Sequence, residues 1–272
     1  MRIALAMTVL AFALGCARGT RPNASEAVGE GRVFSASGGE TVTLVPLLPA
    51  DSRKFLISFQ GTKDDVDGKV LLHKANPAGT EFYTRWRGRE LRFFNVERRS
   101  SGDRHSLMVL NRDDVVSIEL DEARTLALKE EDVYALYQRQ LADGTLSRGE
   151  QFDRTFWLES EQREFAQQVR ALNEACGTPV EARILWDSVS DELLNVHDIS
   201  GYCASPLEAL GELCGRSEEA RRTVRARVKA LDCRIGETMD PRVEAEKIVW
   251  TTPVGSEALS RQDTTSFFLD NL

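Results

Sequence analysis

The chain has 272 residues, of which 42% are hydrophobic and 29% are charged, a balance that is ordinary for a folded globular protein. Its 35 basic and 43 acidic side chains give a formal net charge of −8 at pH 7. Such an acidic balance opposes binding to nucleic acid and to anionic bilayer surfaces, so we expect no nucleic-acid partner.

The first sixteen residues have the pattern of a bacterial export signal. Arg2 supplies a positive charge, and residues 3–14 form an apolar run interrupted by one threonine. The run is shorter than the roughly 20 apolar residues that a membrane-spanning helix needs. It ends in Ala-Leu-Gly-Cys at residues 13–16, which resembles the lipobox of bacterial lipoproteins. The resemblance implies cleavage after residue 15, attachment of fatty acids such as palmitate to Cys16, and a membrane anchor.

The alternative signal is an ordinary secretory peptide cut after the Ala-Phe-Ala at residues 11–13, which would leave Cys16 as a plain thiol. In the lipoprotein interpretation Ala17 follows the lipidated cysteine in place of Asp. By analogy with Gram-negative sorting, this residue favours the outer membrane over the inner one, on its periplasmic face or at the cell surface.

Residues 17–31 are small and polar and contain glycine and proline without apolar periodicity. Such a segment buries too little apolar surface to become ordered, so we predict a flexible tether that, with Cys16, spans residues 16–31.

Residues 32–125 predict a β-rich domain. Within Lys54–Gln60, Phe55, Ile57 and Phe59 alternate with other residues, which gives one apolar face at a period of two. Turn-forming residues separate this run from its neighbours, so we expect an antiparallel sandwich or barrel, in either Greek-key or up-and-down order. The other predicted strands are Thr41–Leu47, Lys69–Lys74, Glu81–Trp86, Glu90–Glu97, Ser106–Leu110 and Val115–Leu120.

Residues 126–272 change to a helical period and predict a helix-rich α+β domain. One predicted helix starts with Ser205-Pro206 and ends at Cys214, and Ser217 caps another whose apolar stripe extends to Leu231. The remaining predicted elements are helices at Lys129–Ala142, Leu158–Cys176 and Ser266–Leu272, and strands at Val180–Trp186 and Lys247–Thr252.

Four cysteines lie in this second domain, and export would place them in an oxidising compartment, where an even number predicts two disulfides. Cys214 and Cys233 bracket a helix of about 15 residues, which is too long for a disulfide to span. An antiparallel helical hairpin would instead bring Cys203 towards Cys233. We therefore predict the pairs Cys203–Cys233 and Cys176–Cys214.

Motifs for catalysis are absent from the sequence: no nucleophile elbow, metalloprotease helix, phosphate loop or Cys-x-x-Cys pair occurs. We expect no metal and no cofactor. His197 has acidic residues nearby in sequence (Asp187, Asp191 and Asp198), which could form a base or cation site or could simply cap loops.

The densest unusual segment lies near a predicted hairpin. Arginine forks interleaved with aromatic rings can bind phosphate or carboxylate groups, although the same pattern is typical of a solvated strand with one apolar face. The residues of this possible binding patch are Arg85, Trp86, Arg87, Arg89 and Arg92.

These observations predict a lipid-anchored, non-catalytic accessory or binding protein of the cell envelope. Its expected partner is another envelope protein or an anionic glycan. The alternative is an envelope hydrolase that uses Asp and Glu carboxylates together with His197.

Overall fold

The computed structural model describes residues 27–109, 115–255 and 258–272. Its first part is a closed barrel in which each of eight antiparallel strands is hydrogen-bonded to the next, and β1 closes the ring on β8. The strands are β1 (Arg32–Ser35), β2 (Thr41–Pro46), β3 (Lys54–Gln60), β4 (Val70–Ala75), β5 (Glu81–Trp86), β6 (Arg89–Glu97), β7 (Arg104–Met108) and β8 (Val115–Leu120). The predicted antiparallel β fold is confirmed, and its order is up-and-down.

Alternate side chains along the strands point into the barrel and fill its interior. In β4, Leu71, His73 and Ala75 are buried, whereas Leu72 between them is more than one-third exposed. Phe59 of β3 and Phe93 of β6 pack against His73 across the interior, with ring centroids 6.0 and 6.3 Å from the imidazole. The interior is therefore packed with rings at this level.

Helices cover part of the outer wall. Helix α1 (Glu122–Leu126) follows β8, and helix α2 (Glu130–Ala142) packs on an apolar patch that includes Leu56 and Val70. The buried side chain of Gln140 accepts a hydrogen bond from the Val70 amide at 2.9 Å. Helix α2 is thus fastened to the barrel by both apolar and polar contacts.

The second part is the expected helix-rich α+β unit. Strands β9, β10 and β12 run parallel, and β11 pairs antiparallel with β12 at one edge. Helices α4 and α6 pack against each other above the sheet. The elements are α3 (Thr145–Gly149), α4 (Arg154–Cys176), β9 (Glu181–Ile184), α5 (Asp191–Val196), α6 (Ile199–Arg216), α7 (Glu218–Arg227), β10 (Ala230–Ile235), β11 (Asp240–Glu244), β12 (Lys247–Thr252) and α8 (Arg261–Asn271).

Several predicted boundaries in this unit are wrong. Helix α4 begins at Arg154 rather than Leu158, and helix α8 begins at Arg261 rather than Ser266. Helix α6 begins at Ile199, because the Asp198 side chain caps it by accepting a hydrogen bond from the Gly201 amide, and Pro206 lies inside it. The apolar stripe assigned to a helix as far as Leu231 belongs partly to strand β10. There Leu231 pairs with Ile248 of the parallel strand β12, so sheet pairing replaces the helical period.

Both predicted disulfides are confirmed. Cys176 and Cys214 join α4 to α6 with Cα atoms 5.1 Å apart, and Cys203 and Cys233 join α6 to β10 with Cα atoms 5.7 Å apart. Cys233 lies on strand β10, whereas the prediction had placed it at the end of a helix. The predicted pairing is nevertheless correct. Helix α6 is consequently fixed near both of its ends.

Candidate functional site

The proposed lipidation residue Cys16 lies outside the described residues. Among the helices that the structure describes, none has both the length and the apolar character needed to cross a membrane.

The arginine-aromatic segment forms the tip of the β5–β6 hairpin and enters the junction between the barrel and the second unit. The Arg87 guanidinium lies between two carboxylates, with Nε 2.6 Å from Asp65 Oδ2 and a further ion pair to Asp153. The indole N–H of Trp157 on α4 donates to the Arg87 carbonyl at 2.7 Å. Arg87 thereby ties the barrel to helix α4.

Arg89 makes the most buried ion pair of this junction. Its Nη2 lies 2.9 Å from Oε1 of Glu161, a side chain on α4 that is only 3% exposed. Its guanidinium also stacks 4.0 Å above the ring of Trp157 and donates to the Leu194 carbonyl. Burial raises the pKa of Glu161, while hydrogen bonds from the Ser200 amide and from Arg89 oppose the rise.

Trp86 closes the barrel at the end that faces this junction. Its indole is 2% exposed and donates to Asp65 Oδ2 at 2.8 Å. Gly149 of α3 packs so closely that a Cβ there would lie 1.8 Å from the indole ring. Leu146 of the same helix joins the barrel core. We call this closed end, formed by Trp86 and helix α3, the floor.

The five residues of the predicted patch therefore do not form one surface in the structure. Trp86, Arg87 and Arg89 are engaged in the floor and the junction. Arg85 is exposed, and Arg92 forms a surface ion pair with Glu81.

The opposite end of the barrel is open. A cavity of about 310 Å³ occupies it, and we call this cavity the cup. Four phenylalanine rings form a continuous belt in its wall: Phe55 meets Phe82, Phe82 meets Phe94, and Phe94 meets Phe34, with centroid distances of 5.1, 5.1 and 5.4 Å. Leu44, Pro46, Gly79 and Val96 complete the apolar lining.

Charged side chains ring the entrance of the cup. Glu30 lies two residues before β1, Arg32 is the first residue of β1, and Arg98 and Asp103 lie in the β6–β7 connection. Arg98 Nη2 donates to the Ala78 carbonyl at 2.7 Å, which holds its guanidinium at the rim. We call these four charged residues the rim.

His105 links the aromatic wall to the rim. Its ring lies 4.5 Å from that of Phe34 and 6.0 Å from that of Phe94. Burial lowers the pKa of His105, the Asp103 carboxylate opposes that shift, and the Arg32 charge adds to it. The imidazole therefore favours its neutral form and extends the uncharged aromatic surface of the cup.

His197 lines a second cavity, of about 500 Å³, between α6 and the end of β12. Its ring contacts that of Tyr202 at 6.1 Å, and its imidazole makes no hydrogen bond to a carboxylate among the described residues. Asp198 also lines the cavity, but its carboxylate caps helix α6. Asp191 pairs with Arg154, and Asp187 lies in a short 3₁₀ turn outside the cavity. The acids near His197 in sequence do not converge on it.

Carboxylates of Glu161, Glu164 and Asp198 come within 4.8 Å of one another between α4 and α6. Ser200 lies among them: its amide donates to Glu161 at 2.7 Å, and its hydroxyl lies 3.1 Å from Glu164 and 2.9 Å from Asp198. These hydrogen bonds account for the arrangement without a bound ion.

Comparison with protein-family models, with curated proteins and with solved structures gives no match for this chain. The assignment of a function therefore depends on the geometry of the site.

Sequence reasoning did not identify the cup. Its lining comes from the start of β1 through β7, and no two of its phenylalanines are adjacent in the sequence. The available signal was weak: the apolar alternation in Lys54–Gln60 includes Phe55, but it does not show which end of a barrel is open.

Proposed function

We propose that this chain is a lipid-anchored, non-catalytic binding protein of the cell envelope that holds a small ligand in the cup. The observation that carries the proposal is a barrel closed at the floor by Trp86 and open at an aromatic cavity on the other end. Ligand pockets are typically concave, mostly apolar and about 300–1,000 Å³ in volume, and an eight-stranded barrel can hold one small ligand.

The path of the chain relates the cup to the proposed anchor. Val28 bridges to Leu47, and the Gly29 amide donates to the Pro46 carbonyl at 2.8 Å, so the first described residues run along the cup entrance. Ala27 is eleven positions after Cys16. A fully extended segment of that length reaches at most about 40 Å, so lipid on Cys16 would keep the cup close to a membrane surface.

The hydrolase alternative has less support. A general base needs a partner that orients it and a reacting group within hydrogen-bond reach. Among the described residues, no carboxylate makes such an orienting hydrogen bond to the imidazole of His197.

Filling the cup tests the proposal. Leu44 lines the cup, whereas Leu126 on α1 is 89% exposed, so Leu44→Trp and Leu126→Trp are matched substitutions. We expect wild type and Leu126→Trp to bind the dye 1-anilinonaphthalene-8-sulfonate at one saturable site, measured by fluorescence, and Leu44→Trp to bind it at least about tenfold more weakly. Equal binding by all three proteins would refute a ligand site in the cup.

The anchor is tested separately by labelling cells with radioactive palmitate. We expect label on the wild-type chain, none on Cys16→Ser, and release of Cys16→Ser from the membrane fraction. A wild-type chain that carries no label and stays in the cytosolic fraction would refute the proposed location in the cell envelope.

A further inference from the structure

We propose that the cup selects a zwitterionic amphiphile, a molecule with an apolar body and a head that carries one positive and one negative group. This inference rests on the proposed function, since it names the class of ligand for the same cavity. The head would contact the rim, and the apolar body would enter the belt of phenylalanine rings.

The wall determines what the body of the ligand must be. Phe34, Phe82 and Phe94 are at most 4% exposed in the folded chain, and the first two meet the third at 5.4 and 5.1 Å. Away from the charged rim, the cavity is lined by these rings together with Phe55, Leu44, Pro46 and Val96, and by the His105 imidazole. A charged or strongly hydrated group placed there would lose its solvation without compensation. The body is therefore apolar.

The charges of the rim determine which head group the ligand must have. Two guanidinium groups and two carboxylates surround the entrance, so its formal charges cancel. Within the part of the chain that the structure describes, none of these four side chains forms an ion pair. A simple anion would meet Glu30 and Asp103, and a simple cation would meet Arg32 and Arg98. A head with both charges can place each of them beside an opposite partner.

The two arginines are not equivalent. Arg98 is held at the rim by its bond to the Ala78 carbonyl, and its other N–H groups have no partner among the described residues. Guanidinium groups favour phosphate and carboxylate because their planar N–H donors match two oxygens at once. The negative part of the head would therefore bind at Arg98, with Arg32 as the second contact.

Two sources can supply this chemistry: a single-chain phospholipid, whose head is a phosphate with an amine, and a free aromatic amino acid. The test uses calorimetry on the full chain with Cys16→Ser, so that no acyl group of its own competes. The probes share a dodecyl chain and differ in the head: phosphocholine, carboxylate, trimethylammonium and maltoside, all below their micelle concentrations. Free phenylalanine is the probe for the second source.

We expect dodecylphosphocholine to bind at least about tenfold more tightly than the other three dodecyl probes. Arg32→Glu with Arg98→Glu should reverse the preference towards the trimethylammonium probe. Arg99→Glu is the matched control, because Arg99 is ion-paired to Glu97 and does not line the cup. Its order of affinities should equal that of wild type.

Each other result is informative. Tight binding of phenylalanine alone supports the zwitterionic head and assigns the source to amino acids. Equal affinity for all four dodecyl heads overturns the inference while leaving the cup as a ligand site. Failure of every probe to bind, with Leu44→Trp unchanged from wild type, overturns the proposed function itself.

Discussion

Arg89 of the barrel and Glu161 of helix α4 form an ion pair of 2.9 Å that joins the two parts of the molecule. Both side chains are largely withdrawn from water, with exposed fractions of 15% and 3%. A pair of this kind contributes little net stability compared with apolar packing, but loss of one partner leaves the other charge buried and unpaired. The junction therefore depends on both residues together.

Arg89→Met should destabilise the protein by about 3–5 kcal/mol, because Glu161 would remain buried without its guanidinium. The loss should decrease as the pH is lowered from 8 towards 5. The pKa of Glu161 is raised by burial and rises further without Arg89, so protonation removes more of the unpaired charge at the lower pH. Urea unfolding at the two pH values measures both effects.

Two controls accompany this substitution. Arg92→Met removes the exposed pair with Glu81 and should cost about 1 kcal/mol or less. Adding Glu161→Met to Arg89→Met should recover most of the stability. If Arg89→Met alone were as stable as Arg92→Met, the ion pair between Arg89 and Glu161 would not hold the junction together.

The imidazole of His73 is fully buried in the barrel, and this burial lowers its pKa to about 4. The unfolded chain has a histidine pKa near 6.5, so between these values the unfolded state binds the proton and the folded state does not. Stability should therefore fall as the pH drops through 6.5. The fall attributable to His73 should level off near pH 4 at about 3 kcal/mol.

His73→Leu removes this titration. The difference in unfolding free energy between wild type and His73→Leu should change by that amount between pH 7 and pH 4, because all other groups cancel in the difference. A difference that stays constant over this range would contradict a buried neutral imidazole.

Gly149 and Gly215 are both helical glycines with opposite surroundings. A Cβ at residue 149 would lie 1.8 Å from the Trp86 indole, whereas one at residue 215 would meet nothing within 4 Å. We expect Gly149→Ala to destabilise the protein by about 1–3 kcal/mol through overpacking of the floor. Gly215→Ala should stabilise it by about 0.5–1 kcal/mol.

Thermal unfolding by circular dichroism measures both variants. The two effects should have opposite signs. If Gly149→Ala were as stable as Gly215→Ala, helix α3 would not be packed against Trp86 as described.

The disulfides close segments with sequence separations of 30 and 38 residues. Replacing Cys203 and Cys233 together by serine should cost about 4 kcal/mol, because the unfolded chain regains the entropy of the open loop. The same cost is expected for Cys176 and Cys214. Urea unfolding measures each loss, and peptide mapping that joined Cys214 to Cys233 would contradict the topology.

Much of the fold could be predicted because local patterns agree with tertiary structure there. The period-two face of Lys54–Gln60 became β3 with the same bounds, and Ser217 caps α7 as expected. Strand β10 was missed because it follows an amphipathic helix closely and is buried on most of its length. A short apolar run of that kind does not distinguish strand from helix without knowledge of its neighbours.

The sites were less predictable, since their partners are distant in sequence. Arg87 and Arg89 stood out as unusual, but Asp153 and Glu161, which bind them, lie 66 and 72 positions away. Which face of a hairpin meets another domain depends on the complete topology. The position of the cup also depends on the complete topology, because the open end of the barrel is the end that helix α3 does not close.

The most direct test of the account is to locate a bound ligand. Isotope-filtered nuclear Overhauser spectroscopy on the ¹³C-labelled chain with unlabelled 1-anilinonaphthalene-8-sulfonate reports which side chains touch the dye. We predict contacts from the dye to the rings of Phe55 and Phe82 and to Leu44. Contacts confined to the cavity beside His197, or to no defined set of side chains, would contradict a binding function for the barrel.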